Sequence, residues 1–111
     1  MKMDANPIYP GGTQLQSFVV PFDAAHIEKA VVTYEQEEGG VILEKTVFDF
    51  TDEGEGTSSF VYRLSQMESL LFRDFLACKM QVNLLMKDGT REPSATWLVD
   101  CGEQLHRTVI T

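Results

Sequence analysis

The acidic residues of this chain are its first candidates for chemistry, because carboxylates ligate metal ions and act as general acids and bases. Between Glu35 and Glu55 lie eight acidic residues and one lysine, and this stretch carries most of the net charge of −8. With Asp49 as the first position of a calcium loop, Gly54 falls correctly, but Phe60 stands where the closing glutamate is required. The spacing therefore predicts no calcium site, and the segment is interpreted as two solvated turns that keep strand edges from mispairing.

The other metal-ligating or nucleophilic side chains are scattered along the chain. His26 and His106 are isolated beside loop-like residues, which favours surface histidines over ligands or catalysts. Cys78 and Cys101 fit no zinc spacing, and we interpret them as buried thiols, with a disulfide as the alternative. The sequence thus predicts no catalytic, cofactor-binding or metal-binding residue, no cofactor, and a protein that is not an enzyme. A carboxylate pair is the open alternative, since any two of the 17 acids can meet in space.

Composition and charge argue against two classes of partner. A protein that neutralises phosphates would be basic, so the net charge of −8 argues against nucleic-acid binding. No apolar run approaches the roughly 18 residues of a membrane span, and the first residues lack the apolar core of a secretory signal. The absence of both segments predicts a protein that is made and kept in a cytoplasm, without membrane insertion. The length of 111 residues predicts one domain.

Residues 77–101 form the centre of the predicted fold. Side chains over 78–86 alternate between apolar and polar, which indicates a strand with one buried face. Asp88 and Gly89 then favour a tight hairpin turn, because both central positions of such a turn need positive φ. Trp97 follows on the returning strand and is predicted to be the largest single contributor to the core. These features predict a central antiparallel hairpin.

The rest of the chain supplies further strands and one helix. The other predicted strands cover residues 14–22, 29–36, 41–50 and 57–64, with an edge strand in the tail (residues 102–111). Ser65 and Glu68 have the spacing of a capping box, which predicts a short helix over about 65–73. About seven strands with frequent turn signals predict an all-β protein, an antiparallel β-sandwich that occupies residues 14–111 as a single domain.

Residues 1–13 contain prolines and glycines but little periodicity, which predicts a flexible N-terminal arm. The alternative is an arm that docks on a neighbouring subunit. Leu85 lies on an otherwise polar strand face, and the tail carries Leu105, Val109 and Ile110. Together with the arm, these apolar residues indicate packing against another subunit.

Several motifs, taken in order, resemble a family of short proteins encoded among the structural genes of phages and prophages of gut Firmicutes. That family is itself similar to the N-terminal immunoglobulin-like domain of phage baseplate upper proteins. The match runs from about residue 14 to 99. The residues that carry it are Phe22-Asp23 with Ile27, Val32-Thr33-Tyr34-Glu35-Gln36, Val41-Ile42-Leu43-Glu44-Lys45, Leu64-Ser65-Gln66-Met67-Glu68 with Phe72, Gln81-Val82, and Asp88-Gly89.

This resemblance implies that the predicted all-β sandwich is immunoglobulin-like and has a structural or assembly role, and it brings no catalytic residues. The expected function is that of a non-enzymatic phage or prophage protein, located in the virion or in the host cytoplasm before assembly. Its expected partners are protein subunits of the particle, including other copies of itself. Unlike the baseplate proteins, the chain is expected to be free-standing, without a downstream helix or receptor-binding domain. The alternatives are a small-molecule or glycan-binding module on the same sandwich, and a small hydrolase.

Overall fold

The alternating stretches form two antiparallel sheets in the computed structural model, which describes residues 1–5, 7–37 and 40–111. Within these residues the strands are β1 (Lys2–Ala5), β2 (Leu15–Val20), β3 (Ile27–Glu37), β4 (Gly40–Val47), β5 (Thr51–Gly54), β6 (Thr57–Arg63), β7 (Cys78–Met86), β8 (Arg91–Pro93) and β9 (Trp97–Val99). The helical elements are a 3-10 turn (Ala24–His26) and a short helix, α1 (Gln66–Ser69). None of the described helices is long and apolar enough to cross a membrane.

The order of strands in each sheet is that of an immunoglobulin-like sandwich. The first sheet runs β1-β2-β6-β5. The second sheet runs β4-β3-β7-β8, and β9 pairs with the first residues of β7. If the strands are lettered in chain order, with β8 and β9 as two parts of strand G, these orders become A-B-E-D and C′-C-F-G. The predicted fold class is therefore confirmed.

The strand predicted over residues 41–50 ends early, at Val47, and a further strand that the sequence did not predict follows it in the other sheet. β4 ends at Val47 and pairs with β3, whereas β5 begins at Thr51 and pairs with β6. Residues 48–50 cross between the sheets, which explains why apolar side chains appear on both sides of this stretch. The first of the two predicted acidic turns is a hairpin loop over residues 37–40, and two of its residues, Glu38 and Gly39, lie outside the described residues.

The C-terminal elements are shorter than expected. The short helix is present with its capping box, in which Ser65 and Glu68 bond each other's backbone, but α1 covers only Gln66–Ser69. The edge strand predicted in the tail is wrong, since residues 102–111 are all described and none is in a strand. The reason is that tail backbone groups bond to side chains, as Ile110 does to Gln66, and not to a neighbouring strand.

The N-terminal residues are part of the fold. Lys2–Ala5 pairs with β2 in antiparallel register, and Ile8 is fully buried. The backbone of Ile8 is bonded on both sides, to the carbonyl of Asp100 and to the N–H of Gly102, each at 2.8 Å. The predicted flexible arm is thus wrong at these positions, because main-chain pairing needs no side-chain periodicity; Asn6 lies outside the described residues.

The core fills the space between the two sheets. As predicted, the inward side chains of β7 are buried, including Cys78. Its thiol and that of Cys101 are both buried and free. Trp97 is only partly buried, so the prediction that it dominates the core is wrong. The largest fully buried side chains are Tyr34, Phe18 and Phe72.

Candidate interaction surface

The connection between β6 and β7 (residues 64–77, here the β6–β7 connection) covers one end of the sandwich. Leu64 and Phe72 are fully buried and anchor it from below. The Phe72 ring meets Tyr34 edge-on, with ring centroids 5.5 Å apart. Ser69 is also fully buried, and its hydroxyl donates to the carbonyl of Gly12 at 2.6 Å. The connection is therefore held to β3 and to the segment before β2.

Gln36, near the end of β3, holds the second half of this connection. Its side-chain nitrogen donates to the carbonyls of Arg73 and Leu76, at 3.1 and 2.8 Å, and its oxygen accepts from the Arg73 N–H at 2.7 Å. The Arg73 guanidinium also pairs with Glu37. The Gln36 amide thus provides the hydrogen bonds of main-chain groups that lie outside the strands and helices.

A polar network lies under α1, between the two sheets. Lys45 occupies an inward-facing position of β4, and its ammonium reaches Glu68 at 2.7 Å and lies 5.5 Å from the centre of the Tyr62 ring. The Tyr62 hydroxyl is hydrogen-bonded to that of Tyr34. Burial raises the pKa of both tyrosines above its usual value. Both hydroxyls stay protonated at neutral pH and join the two sheets, while the ion pair joins β4 to α1.

Glu68 is the residue of this network that couples the helix to pH. Partial burial acts to raise the pKa of its carboxyl group, but hydrogen bonds from Lys45 and from the Ser65 N–H outweigh burial and lower the pKa. Its carboxylate is therefore ionised throughout the neutral range, where it completes both the capping box and the ion pair.

Replacing Glu68 by glutamine is expected to lower the free energy of unfolding by about 1–2 kcal/mol at neutral pH, since the variant loses the ion pair and weakens the cap. The pKa is lowered in the folded state, so this contribution is present above the unfolded pKa of about 4.5 and is lost as pH falls below it. Denaturant unfolding from neutral to acidic pH measures both effects. Glu44→Gln, an exposed carboxylate on β4, is the matched control; equal acid sensitivity of wild type and Glu68→Gln would contradict the prediction.

The tail lies against the β6–β7 connection through polar contacts. The Arg107 guanidinium pairs with Asp74 at 2.5 Å and donates to the carbonyl of Phe72 at 3.1 Å. The amide side chain of Gln66 donates to the carbonyl of Ile110 and accepts from its N–H, at 2.9 and 2.7 Å. These contacts place the tail and the connection side by side on one surface.

Most of the apolar side chains on this surface point into solvent. We call them the apolar end: Met67, Leu71, Phe75, Leu105, Val109 and Ile110, all of which are exposed. Phe75 is 75% exposed, and Leu105 is 88% exposed. Phe75 also has a φ of 60°, a left-handed conformation that is an outlier for a bulky residue. The sequence indicated subunit contacts through the tail, but not through Met67 or Phe75. Their helical spacing with Leu70 and Leu71 predicts instead that these side chains cover one end of the core.

The structure separates the residues that the sequence singled out for chemistry. His26 lines a depression of about 440 Å³ at the opposite end, beside Asp88. His106 lies in the tail, 2.9 Å from the Thr108 hydroxyl. In the acidic turn, Asp52 accepts from the Gly54 N–H at 2.8 Å. Among the described residues, no group of three or more His, Cys, Asp or Glu side chains is placed to hold a metal ion.

Leu85 lies on the outer face of the second sheet, on the wall of a depression of about 260 Å³ that it shares with Val31 and Arg91. None of the hydrogen bonds or ring contacts among the described residues joins Leu85 to the tail. The three features that indicated subunit packing in the sequence therefore lie in different parts of the fold. The N-terminal arm pairs with β2, Leu85 lies on the outer face of the second sheet, and the tail forms part of the apolar end.

No family model matches this sequence, and no curated protein is significantly similar to it. The function proposed below therefore rests on the residues of the apolar end and on the resemblance carried by the sequence motifs.

Proposed function

We propose that this protein is a non-enzymatic structural or assembly protein of a phage or prophage particle, and that it binds other protein subunits through the apolar end. The observation that carries the proposal is the concentration of exposed apolar side chains on the β6–β7 connection and the tail. Six large apolar residues, between 42% and 88% exposed, occupy two neighbouring segments. Exposed apolar side chains concentrated on neighbouring segments are typical of sites of protein–protein contact.

The conformation of Phe75 supports the same proposal. A left-handed backbone costs a residue with a Cβ about 1–2 kcal/mol, and an exposed side chain recovers little of that by packing within its own domain. Strained backbone is retained most often where a residue serves recognition or function. An aromatic side chain held in solvent at such a position is suited to anchor a partner, because aromatic residues dominate binding hot spots.

A second group of exposed apolar residues provides a comparison within the same chain. Val19 and Val61 lie on the outer face of the first sheet, 42% and 55% exposed. They alternate with Ser17 and Ser59 on the paired strands, so apolar and polar side chains are interleaved there. This face has the composition of an ordinary solvated sheet surface, and its valines are suitable controls.

The test compares the oligomeric state of three full-length proteins by light scattering over a range of concentrations. In the first variant, Leu71→Ser, Phe75→Asn and Leu105→Ser remove three side chains of the apolar end. In the control variant, Val19→Thr and Val61→Thr remove exposed apolar surface from the first sheet. We expect wild type and control to form the same defined oligomer and the apolar-end variant to be monomeric.

The apolar-end variant is expected to remain folded, because asparagine tolerates the left-handed conformation better than phenylalanine, and this gain offsets the modest cost of truncating the half-exposed Leu71. A variant that folds well but no longer associates therefore separates binding from folding. An apolar-end variant with the wild-type mass would contradict the proposal. Deleting residues 1–13 is unsuitable for this test, because it removes β1 and the buried Ile8.

A further inference from the structure

The tail contacts the β6–β7 connection as a bound peptide contacts a recognition groove. We call the connection residues that bind the tail, Gln66, Phe72 and Asp74, the groove. Asp74 accepts from the Arg107 guanidinium at 2.5 Å and from the Gln104 N–H at 3.2 Å. The carbonyl of Phe72 accepts a second bond from the same guanidinium at 3.1 Å. A carboxylate and a main-chain carbonyl around one guanidinium form a site for an arginine side chain, because arginine presents several donors in a fixed fork.

Gln66 recognises the backbone of the same segment. Its amide donates to and accepts from the main chain of Ile110, as a residue of a neighbouring strand would. Such reciprocal bonding recognises the main chain of an extended peptide, whatever side chain the bonded residue carries. The groove therefore fits an extended segment with an arginine three residues before the position that Gln66 bonds.

The occupied groove buries little apolar surface of its occupant. Leu105 and Ile110 remain 88% and 67% exposed. An exposed ion pair contributes about 0–1 kcal/mol and a hydrogen bond about 0.5–1.5 kcal/mol, whereas ordering a residue costs about 1–2 kcal/mol. Because the whole segment 103–111 is ordered for these few contacts, their gain does not exceed the cost of ordering it, and the tail can detach without opening the core.

The tail is anchored to the fold at Cys101 and Gly102, so residues 103–111 can detach from the β6–β7 connection while this anchor stays in place. The Gly102 N–H donates to the carbonyl of Ile8 at 2.8 Å, and the carbonyl of Cys101 accepts from the Phe75 N–H at 3.0 Å. After Gly102, the described contacts of the tail to the β6–β7 connection run through Gln66, Asp74 and carbonyl groups. Residues 103–111, when extended, span about 30 Å, which is enough to reach a neighbouring molecule.

We propose that two copies of this chain exchange tails at this end: the segment 103–111 of each copy occupies the groove of the other. The same contacts, Arg107 with Asp74 and Ile110 with Gln66, form between copies in place of within one copy. The advantage of exchange is the burial of the apolar end between the two molecules, which the tail docked on its own chain leaves in water. This inference rests on the proposed function, because it names a second copy as the partner of that surface.

A charge-reversal mixture tests the exchange directly. Asp74→Arg reverses the charge of the groove, and Arg107→Asp reverses the charge of the tail, so neither variant can dock its own tail or that of an identical copy. In the mixture, the Arg107→Asp tail meets the Asp74→Arg groove only between different chains. We expect each variant alone to be monomeric by native mass spectrometry, and the mixture to give a heterodimer. The double variant in one chain restores the pair in every copy and is expected to dimerise as wild type does.

A second measurement keeps the wild-type charges. Gln66→Cys and Ile110→Cys are placed in separate, differently tagged chains, which are mixed and oxidised; the native thiols are buried. A disulfide-linked heterodimer is expected, and Gln66→Cys mixed with Thr13→Cys, an exposed position outside the tail, is the control. Absence of the heterodimer in both experiments, with thermal unfolding showing folded variants, would overturn the exchange.

The two proposals fail differently. If wild type associates through the apolar end but neither experiment gives a heterodimer, the tails do not exchange while the proposed function stands. If the mixture gives heterodimers but substitution of Leu71, Phe75 and Leu105 leaves association unchanged, exchange is upheld and the apolar end is not the contact surface.

Discussion

Replacing Ile8 by alanine is expected to lower the free energy of unfolding by about 2–5 kcal/mol, the range for truncating a fully buried isoleucine. Ile8 has no exposed surface, and its backbone is bonded to Asp100 and Gly102 on either side. The alanine variant leaves a cavity where the N-terminal segment meets the C-terminal end of β9. Urea unfolding followed by tryptophan fluorescence measures the loss.

Thr13→Ala is the matched control, because Thr13 lies in the same N-terminal segment but is exposed, and its side chain makes none of the described hydrogen bonds. Substitutions at such sites change stability by less than about 0.5 kcal/mol. If Ile8→Ala had an equally small effect, residues 1–13 would behave as the flexible arm that their composition predicts, and the buried position of Ile8 would be contradicted.

The second large effect is expected at Phe72. Phe72→Ala should cost about 3–5 kcal/mol, since the ring is fully buried and packs edge-on against Tyr34. Phe72 is also the residue whose carbonyl accepts from Arg107, so loosening it should release the tail. We expect hydrogen exchange to accelerate throughout the β6–β7 connection of the variant, beyond the change explained by global unfolding.

Leu71→Ala is the control for this experiment, because Leu71 is the neighbouring residue but is 53% exposed. It should cost well under half as much as Phe72→Ala, in line with its smaller buried surface. Comparable losses at the two positions would mean that the β6–β7 connection is anchored in a different way.

Local sequence features predicted the parts of the fold that depend on local physics. Alternation over 78–86 identified the central strand and its buried face, because side chains of a strand alternate between two faces whatever lies beyond them. The capping box of Ser65 and Glu68 identified the start of α1, because both bonds join residues three apart. Regular strands and turns then sufficed to predict the sandwich.

The candidate surface could be predicted only in part. The apolar residues of the tail indicated a contact with another subunit, and three of them do belong to the apolar end. Phe75 was missed, because its helical spacing from Leu71 predicts that it covers the core, whereas α1 ends at Ser69 and Phe75 has a left-handed backbone. The partners of Gln66 and Arg107 are 44 and 33 residues away, and no local pattern marks such pairs.

By itself, the sequence determined the strands at the centre of the two sheets (β2, β3, β6 and β7), the position of the hairpin turn at Asp88 and Gly89, and which face of β7 is buried, since these follow from neighbouring residues. Only the tertiary structure decided that Ile8 belongs to the core, that residues 48–50 cross between sheets, and that the tail docks beside Phe75. Each of these depends on segments that are distant in the chain and meet only when the two sheets close. A buried isoleucine in an irregular segment and an exposed phenylalanine in a loop look alike in sequence, because burial is set by what packs against a residue.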